Sequence, residues 1–225
     1  MSAYDAFAPV YDRWFPEVAD VPFYVELARE ADGPVVELAV GTGRVAAVVA
    51  RETGKRVIGV DSSPAMLARA RETGADLDLR LGDMRDFALE TKAALVYCPA
   101  RSLLHLPTWE DKLRVFRRVH EALRPGGRFA FNAFVFDYTV AARVEGDHPD
   151  APVPHTVAHS PAESRVDLTV HETGAHVSLW WATRNEWAGL AQTAGFETEA
   201  LYGDFERTPF GVESREFVWV LRKPV

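Results

Sequence analysis

Three carboxylates stand at or near the ends of successive apolar runs, and each lies close to glycine. Glu37 sits inside Val35-Val36-Glu37-Leu38-Ala39-Val40 and is followed by Gly41-Thr42-Gly43-Arg44. Asp61 closes Ile58-Gly59-Val60, and Asp83 follows Gly82 after the run Leu77–Leu81. A glycine turn at a strand end lets the backbone approach a ligand where a side chain would collide. An acid at the next strand end accepts hydrogen bonds from ribose hydroxyls, which is how an open α/β sheet holds a nucleoside. An acid at Asp83 accepts from an adenine amino group. Glu37 adds a constraint: a carboxylate ahead of the turn repels phosphate and suits a cationic ligand. Burying it without such a partner is costly, which assigns it a function. Gly41-Thr42-Gly43-Arg44-Val45-Ala46 also satisfies the dinucleotide pattern G-x-G-x-x-G/A, so a nicotinamide-dependent oxidoreductase stays open, although it leaves Glu37 and Asp83 without a task.

The elements around these residues alternate. Val35–Val40 reads as a first strand. A helix runs from near Thr42 to about Thr53, with Gly54 placed to end it. Arg56–Val60 is the second strand, and Ser63-Pro64 opens a helix reaching about Glu72. Leu77–Leu81 and Ala93–Cys98 are the third and fourth strands. Trp109–Leu123 is amphipathic, with Leu113, Phe116, Val119, His120 and Leu123 on one stripe. Pro125-Gly126-Gly127 turns into a fifth strand, Arg128–Val135. This rhythm predicts a parallel sheet with helices on both faces. The alternation then breaks. Asp147–Pro154 reads as a loop, and Arg165–Val170 and Ala175–Trp181 as a hairpin around Glu172-Thr173-Gly174. Asn185–Ala194 is a short helix, and Phe196–Tyr202 and Glu213–Arg222 are two last strands. One domain over 1–225 is expected. In it, residues 1–31, rich in aromatics such as Tyr4, Tyr11 and Phe15 and divided by Pro9, Pro16 and Pro22, form a helical cover. Residues 136–183 form a lid-like insertion after the fifth strand.

The chain has 225 residues, 48% hydrophobic and 26% charged, with a formal net charge of -8. That is an ordinary globular composition, with length enough for a sizeable core. Its acidity gives no general attraction to a phosphate backbone, so nucleic acid is not an expected partner. Cys98 is the single cysteine, which excludes an intrachain disulfide and a multi-cysteine zinc site, and no metal site is expected. The start lacks a signal-like segment and no apolar run is long enough to span a bilayer, so a cytoplasmic protein without a membrane partner is expected. A homodimer is left open.

Taken in order, Val35–Arg44, Ile58–Asp61, Gly82-Asp83-Met84, Leu123–Gly127 and Ala194-Gly195-Phe196 with two following strands resemble the class I S-adenosylmethionine-dependent methyltransferases. The resemblance covers most of the chain. It implies a Rossmann-like, seven-stranded, mostly parallel sheet whose last strand is antiparallel, with S-adenosylmethionine as cofactor. Carried onto these positions, it gives Glu37, Ala39, Gly41 and Gly43 to the cofactor's methionine moiety and Asp61 to the ribose hydroxyls. Ser62 and Met66 border the adenine, Asp83 and Met84 read its edge, and Cys98 passes beneath the sulfonium. The family often has glycine where Ala39 stands; a methyl group there is tolerable if φ is negative. Similar N-terminal segments fold over the cofactor, which makes Tyr11, before Tyr4, a cofactor contact.

The expected reaction is methyl transfer to a small-molecule acceptor, N-methylation ahead of O- or C-methylation. It needs alignment of nucleophile, methyl and leaving sulfur more than a metal or a base. His105, after the fourth strand, is the candidate base for the acceptor's proton. Trp180 and Trp181 are candidates to wall the acceptor pocket. The histidines of the insertion, His155, His159, His171 and His176, lack metal-ligand spacing. No Asn or Asp precedes a Pro-Pro-aromatic sequence, which weighs against nucleic-acid bases as acceptors. A non-catalytic module that keeps the cofactor pocket without turnover is the remaining alternative.

Overall fold

A computed structural model describes residues 3–14 and 19–225. Phe15 and Pro16, expected in the N-terminal helical cover, lie outside the described residues. A 3-10 turn at Ala3–Asp5 and the one-turn helix α1 (Tyr11–Trp14) precede α2 (Val21–Glu30). The sheet-forming alternation follows: β1 (Val35–Leu38), α3 (Ala46–Thr53), β2 (Val57–Asp61), α4 (Pro64–Glu72), β3 (Leu77–Leu81) and β4 (Ala93–Cys98). A 3-10 turn at Ser102–His105 leads into α5 (Trp109–Ala122) and β5 (Leu123–Phe134). Next come α6 (Tyr138–Val144), β6 (Gly146–His148), β7 (His155–Ser160), β8 (Arg165–Val170) and β9 (His176–Trp180). The chain closes with α7 (Arg184–Thr193), β10 (Glu197–Tyr202) and β11 (Glu216–Arg222).

The main sheet has seven strands in the order β10-β11-β5-β4-β1-β2-β3. Only β11 runs against the rest, pairing antiparallel with both β5 and β10. The strand order reverses between β1 and β4, so the crevice at their carboxyl ends is where such a sheet places a ligand. β1 and β4 are buried along their whole length, as central parallel strands must be when helices cover both faces. One core layer packs α5 and α7 against the sheet through Phe116, Phe129, Phe131 and Trp187; the other packs α2 and α3 through Tyr24, Val49 and Leu95. α5 buries Lys112, Val115, Phe116, Val119 and Ala122, so its buried stripe is rotated from the expected one and leaves Leu113 and His120 half-buried.

Local chemistry sets the element ends. Ser63 accepts from the Met66 amide with Pro64 in the first turn of α4, and Gly54 ends α3 in the left-handed conformation at φ 66°. The expected first strand and first helix are both too long. β1 stops at Leu38 because Ala39 has φ 54°, and α3 starts at Ala46 after the turn through Gly41 and Gly43. β5 is recorded from Leu123 because Leu123 pairs with Ala93, and the register shifts across the Pro125-Gly126-Gly127 turn before regular pairing resumes.

Residues 136–183 hold more order than expected. The β8–β9 hairpin is present, but β6 and β7 extend it to a four-stranded antiparallel sheet in the order β6-β7-β8-β9, so Asp147–Pro154 is a loop only after His148. α6 is also additional; at seven residues, its start is secured by Asp137, whose carboxylate accepts from the Thr139 and Val140 amides. Among the described residues, no helix is long and apolar enough to cross a membrane.

Candidate active site

A cavity of about 690 Å³ lies above the carboxyl ends of β1 to β5 and is roofed by the N-terminal segment, α6 and the inner face of the small sheet. Of the residues expected at the site, Tyr11, Ala39, Gly41, Asp61, Ser62, Asp83, Met84 and His105 line it. Glu37, Gly43, Met66 and Cys98 do not.

Asp61 anchors one wall. Its Oδ2 accepts from the Gly41 amide at 2.8 Å and its Oδ1 from the Ser63 amide at 2.8 Å. The helix cap is therefore Ser63, and Asp61 pins the glycine turn to the start of α4 while lining the cavity. Burial raises its pKa, and the amides of Ser63, Gly41 and Ser62 oppose that shift. Gly41 needs its glycine for a φ of 55°, where a Cβ would meet the Ala39 carbonyl oxygen at an ordinary 3.9 Å; Gly43 is needed for φ 79° and because a Cβ there would lie 3.3 Å from that of Ala70. Ala39 departs from the expected negative φ: it carries a methyl group in the left-handed region, where an L-residue is strained.

Glu37 lies behind the wall, 1% exposed, next to Tyr97 on the neighbouring strand. Its Oε2 and the Tyr97 hydroxyl make no hydrogen bond of regular geometry among the described residues, although the phenol is near enough to stabilise the carboxylate. Burial drives its pKa up to about 8; nearby Tyr97 and Arg44 counteract this without cancelling it. Arg44 is itself committed to Asp20 through two hydrogen bonds of 2.7 Å. Tyr11 lines the cavity within the electrostatic reach of Glu37, Arg44 and Asp61, and its pKa is pushed up to about 12, chiefly by burial.

Asp83 lines the opposite end, but its carboxylate is tied to Arg85, with an ion pair of 2.6 Å and a 2.8 Å bond from the Arg85 amide. Arg85 also pairs with Asp111 at 2.8 Å, and its hydrogen bonds hold the Asp83 pKa below the usual range. Met66 is a correction: its side chain is 1% exposed and packs in a core with Phe7, Val10 and Val170, because the α4 cap turns it toward the N-terminal segment. Cys98 is fully buried and burial pushes its thiol pKa up, so it offers no reactive sulfur.

His105 is half-buried on the cavity wall, and its Nε2 accepts from the Tyr4 hydroxyl at 2.5 Å. Desolvation lowers its pKa to about 4, partly offset by a hydrogen bond to the Ser178 backbone on β9. The imidazole is thus neutral at pH 7, with its Nε2 held by Tyr4. Tyr4 and Tyr11 meet edge to face at 6.4 Å, so both tyrosines of the N-terminal segment sit over the site.

Sequence reasoning missed the turn after β4. Ala100 and Arg101, both on the wall, have φ of 55° and 61°. A network with a buried base steadies this strained turn: the exposed Arg101 pairs with Glu216 at 2.7 Å, Asn132 donates to Glu216 at 2.6 Å, and Tyr24 donates to Asn132 at 3.1 Å. These residues come from α2, β5, β11 and the turn, a convergence with no local signature. Phe136 and Asp137 on the cavity wall were missed as well; Phe136 stacks on the candidate Trp181 at 3.7 Å and 4°. Trp181 itself supports the wall from behind, and neither it nor Trp180 lines the cavity.

The arrangement suits a nucleoside bearing a cation: a buried carboxylate oxygen without a regular hydrogen bond, a second carboxylate holding a glycine turn, and a covered cavity beside them. Comparison with known proteins agrees. Residues 35–127 match the methyltransferase domain family. The cypemycin N-terminal methyltransferase of a Streptomyces species is 27% identical, aligned over 89% of this chain and 87% of that protein. A dTDP-3-amino-3,4,6-trideoxy-alpha-D-glucopyranose N,N-dimethyltransferase of Streptomyces venezuelae is 30% identical over 60% of each chain. The solved structure of the CcbJ methyltransferase from Streptomyces caelestis superposes with a TM-score of 0.82 at 27% identity, covering 100% of this chain and 99% of that one.

Proposed function

We propose that the chain acts as a class I S-adenosylmethionine-dependent methyltransferase and that it methylates an amine nitrogen of a small acceptor. When bound, S-adenosylmethionine supplies an electrophilic methyl carbon on a positively charged sulfur. Glu37, with the turn at Ala39, Gly41 and Gly43, holds the cofactor's amino-acid end and matches its positive charge. Asp61 accepts from the ribose hydroxyls with the lone pairs its two amide partners leave free. Ser62, Asp83 and Met84 border the adenine, and the backbone at Cys98 runs beneath the sulfonium. Met66 supports this end only through packing. Residues 136–183 and the N-terminal segment cover the reacting centre and exclude water.

The observation that carries nitrogen over oxygen is the condition of His105. An alcohol attacks well only as its proton is removed, and an imidazole with a pKa near 4 that already accepts from Tyr4 is a poor base. A neutral amine attacks with its own lone pair, and its proton can leave afterwards. His105 then acts chiefly by holding the Tyr4 hydroxyl over the cavity, with the base role as its secondary task. The dimethyltransferase named above, which acts on an amino sugar, supports the same reading. The test is incubation with methyl-labelled cofactor and matched amine, alcohol and thiol acceptors, with products resolved by mass spectrometry. Label on nitrogen is expected; label confined to oxygen or sulfur overturns the proposal.

A further inference from the structure

We infer that the acceptor is an apolar amine, an alkyl or aryl body carrying a primary or secondary amino group, and that the inner face of the small sheet selects it. The inference rests on the nitrogen-methylation reading and narrows its substrate.

The sheet β6–β9 is two-faced. Its outer side carries a polar ladder: Ser178 donates to Asp167 at 2.5 Å, Thr169 meets His176 at 3.0 Å and Arg165 donates to Asp167 at 3.0 Å. Its inner side, at the alternate positions, turns Val157, Val166, Leu168, Val177 and Leu179 into the cavity. Val157, Val166 and Val177 are buried and Leu168 and Leu179 half-buried, so this face is a covered apolar wall, and such a wall favours an apolar occupant. Phe136, stacked flat on Trp181, extends the same apolar surface toward α6.

The charged groups bordering that end are matched within the protein. Arg101 pairs with Glu216 at 2.7 Å, Arg215 with Asp137 at 3.6 Å, and His159 with Glu145. His155 is stacked on Trp14 at 4.5 Å and bonds the Val153 carbonyl at 2.8 Å. A diphosphate-linked acceptor would bring negative charge to a wall whose described cations already hold carboxylates. An apolar amine fits both requirements, and an apolar surrounding also favours its neutral, nucleophilic form. Its nitrogen lone pair forms the new N–C bond while the electron pair of the breaking C–S bond stays on sulfur. The proton of the resulting ammonium passes to solvent at the cavity mouth.

The test is a series of n-alkylamines from ethyl to hexyl, with benzylamine, a dTDP-linked amino sugar and the matching n-alkanols. Methylation is followed by mass spectrometry, and binding to the protein loaded with S-adenosylhomocysteine by calorimetry. KM and Kd are expected to fall about four-fold for each added methylene until the cavity is filled. Leu168→Asn should raise both for hexylamine at least ten-fold and leave S-adenosylhomocysteine affinity within two-fold, which shows that the variant is folded; Leu168→Met, which keeps the wall apolar, should keep the chain-length dependence. Chain-length independence, or a higher kcat/KM for the dTDP-linked sugar than for every simple amine, overturns this inference alone. Failure to methylate any amine while alcohols are methylated overturns the nitrogen reading and this inference with it.

Discussion

Replacing Glu37 by Gln separates what the buried carboxylate costs the fold from what it contributes to binding. Its pKa is raised from 4.5 to about 8, mainly by burial. Between those values the folded protein keeps a proton that the unfolded chain has released, so stability falls as pH rises through this window and levels off above pH 8. At about 1.4 kcal/mol per pH unit, ionising Glu37 costs the cofactor-free fold roughly 5 kcal/mol. Gln removes the ionisation but leaves an amide short of partners, which returns about 1–3 kcal/mol of the cost. The variant should therefore match wild type within about 1–3 kcal/mol at pH 4.5 and exceed it by about 2–4 kcal/mol at pH 8.5. The latter corresponds to a Tm higher by roughly 4–16 °C for a chain of this size. Affinity for S-adenosylmethionine should drop by about ten- to a hundred-fold, the worth of a charge-assisted hydrogen bond. Scanning calorimetry across pH and titration calorimetry with the cofactor measure both halves. A stability difference that does not change with pH, or an unchanged cofactor Kd, refutes the reasoning.

Other expectations follow from particular contacts. Asp61→Ala removes the acceptor proposed for the ribose hydroxyls and the anchor of the Gly41 amide, and should weaken S-adenosylhomocysteine binding about a hundred-fold or more by calorimetry. Ala39→Gly relieves a left-handed φ of 54° and, after the larger chain entropy of glycine, should stabilise the fold by about 0.5–1 kcal/mol in urea unfolding; destabilisation would show that the Ala39 methyl packs favourably. Tyr4→Phe and His105→Ala should lower kcat by similar factors, non-additively in the double variant, with cofactor Kd within about two-fold; additive losses would show that the two act separately. Since the folded pKa of His105 is lowered to about 4, the unfolded chain takes up a proton first as pH falls below 6.5. Stability should therefore decline from pH 6.5 toward pH 4 more steeply in wild type than in His105→Phe.

The seven-stranded sheet was legible because its strands and helices announce themselves locally: apolar runs of four to six residues, glycine turns, and caps such as Ser63-Pro64. One wall of the cavity was legible for the same reason, since Gly41, Asp61 and Asp83 stand at or just past strand ends. What lay hidden depends on distant parts of the chain. β7 takes its order from pairing with β8 and β6 from pairing with β7, and neither has an apolar alternation strong enough to show alone. The family resemblance makes Met66 an adenine neighbour, yet the aromatic N-terminal segment packs on it. The Arg101–Glu216 pair joins residues 115 positions apart, so no spacing rule brings them together. The left-handed backbone at Ala39 has no residue signal either, because alanine stands where glycine would have shown it.

The most direct measurement is the number of protons released when S-adenosylmethionine binds at pH 7, obtained by calorimetry in buffers of different ionisation enthalpy. With Glu37 protonated in the free protein up to about pH 8, ionisation against the incoming positive charge should release close to one proton in wild type and almost none in Glu37→Gln. No release from wild type, or equal release from both proteins, would contradict the account.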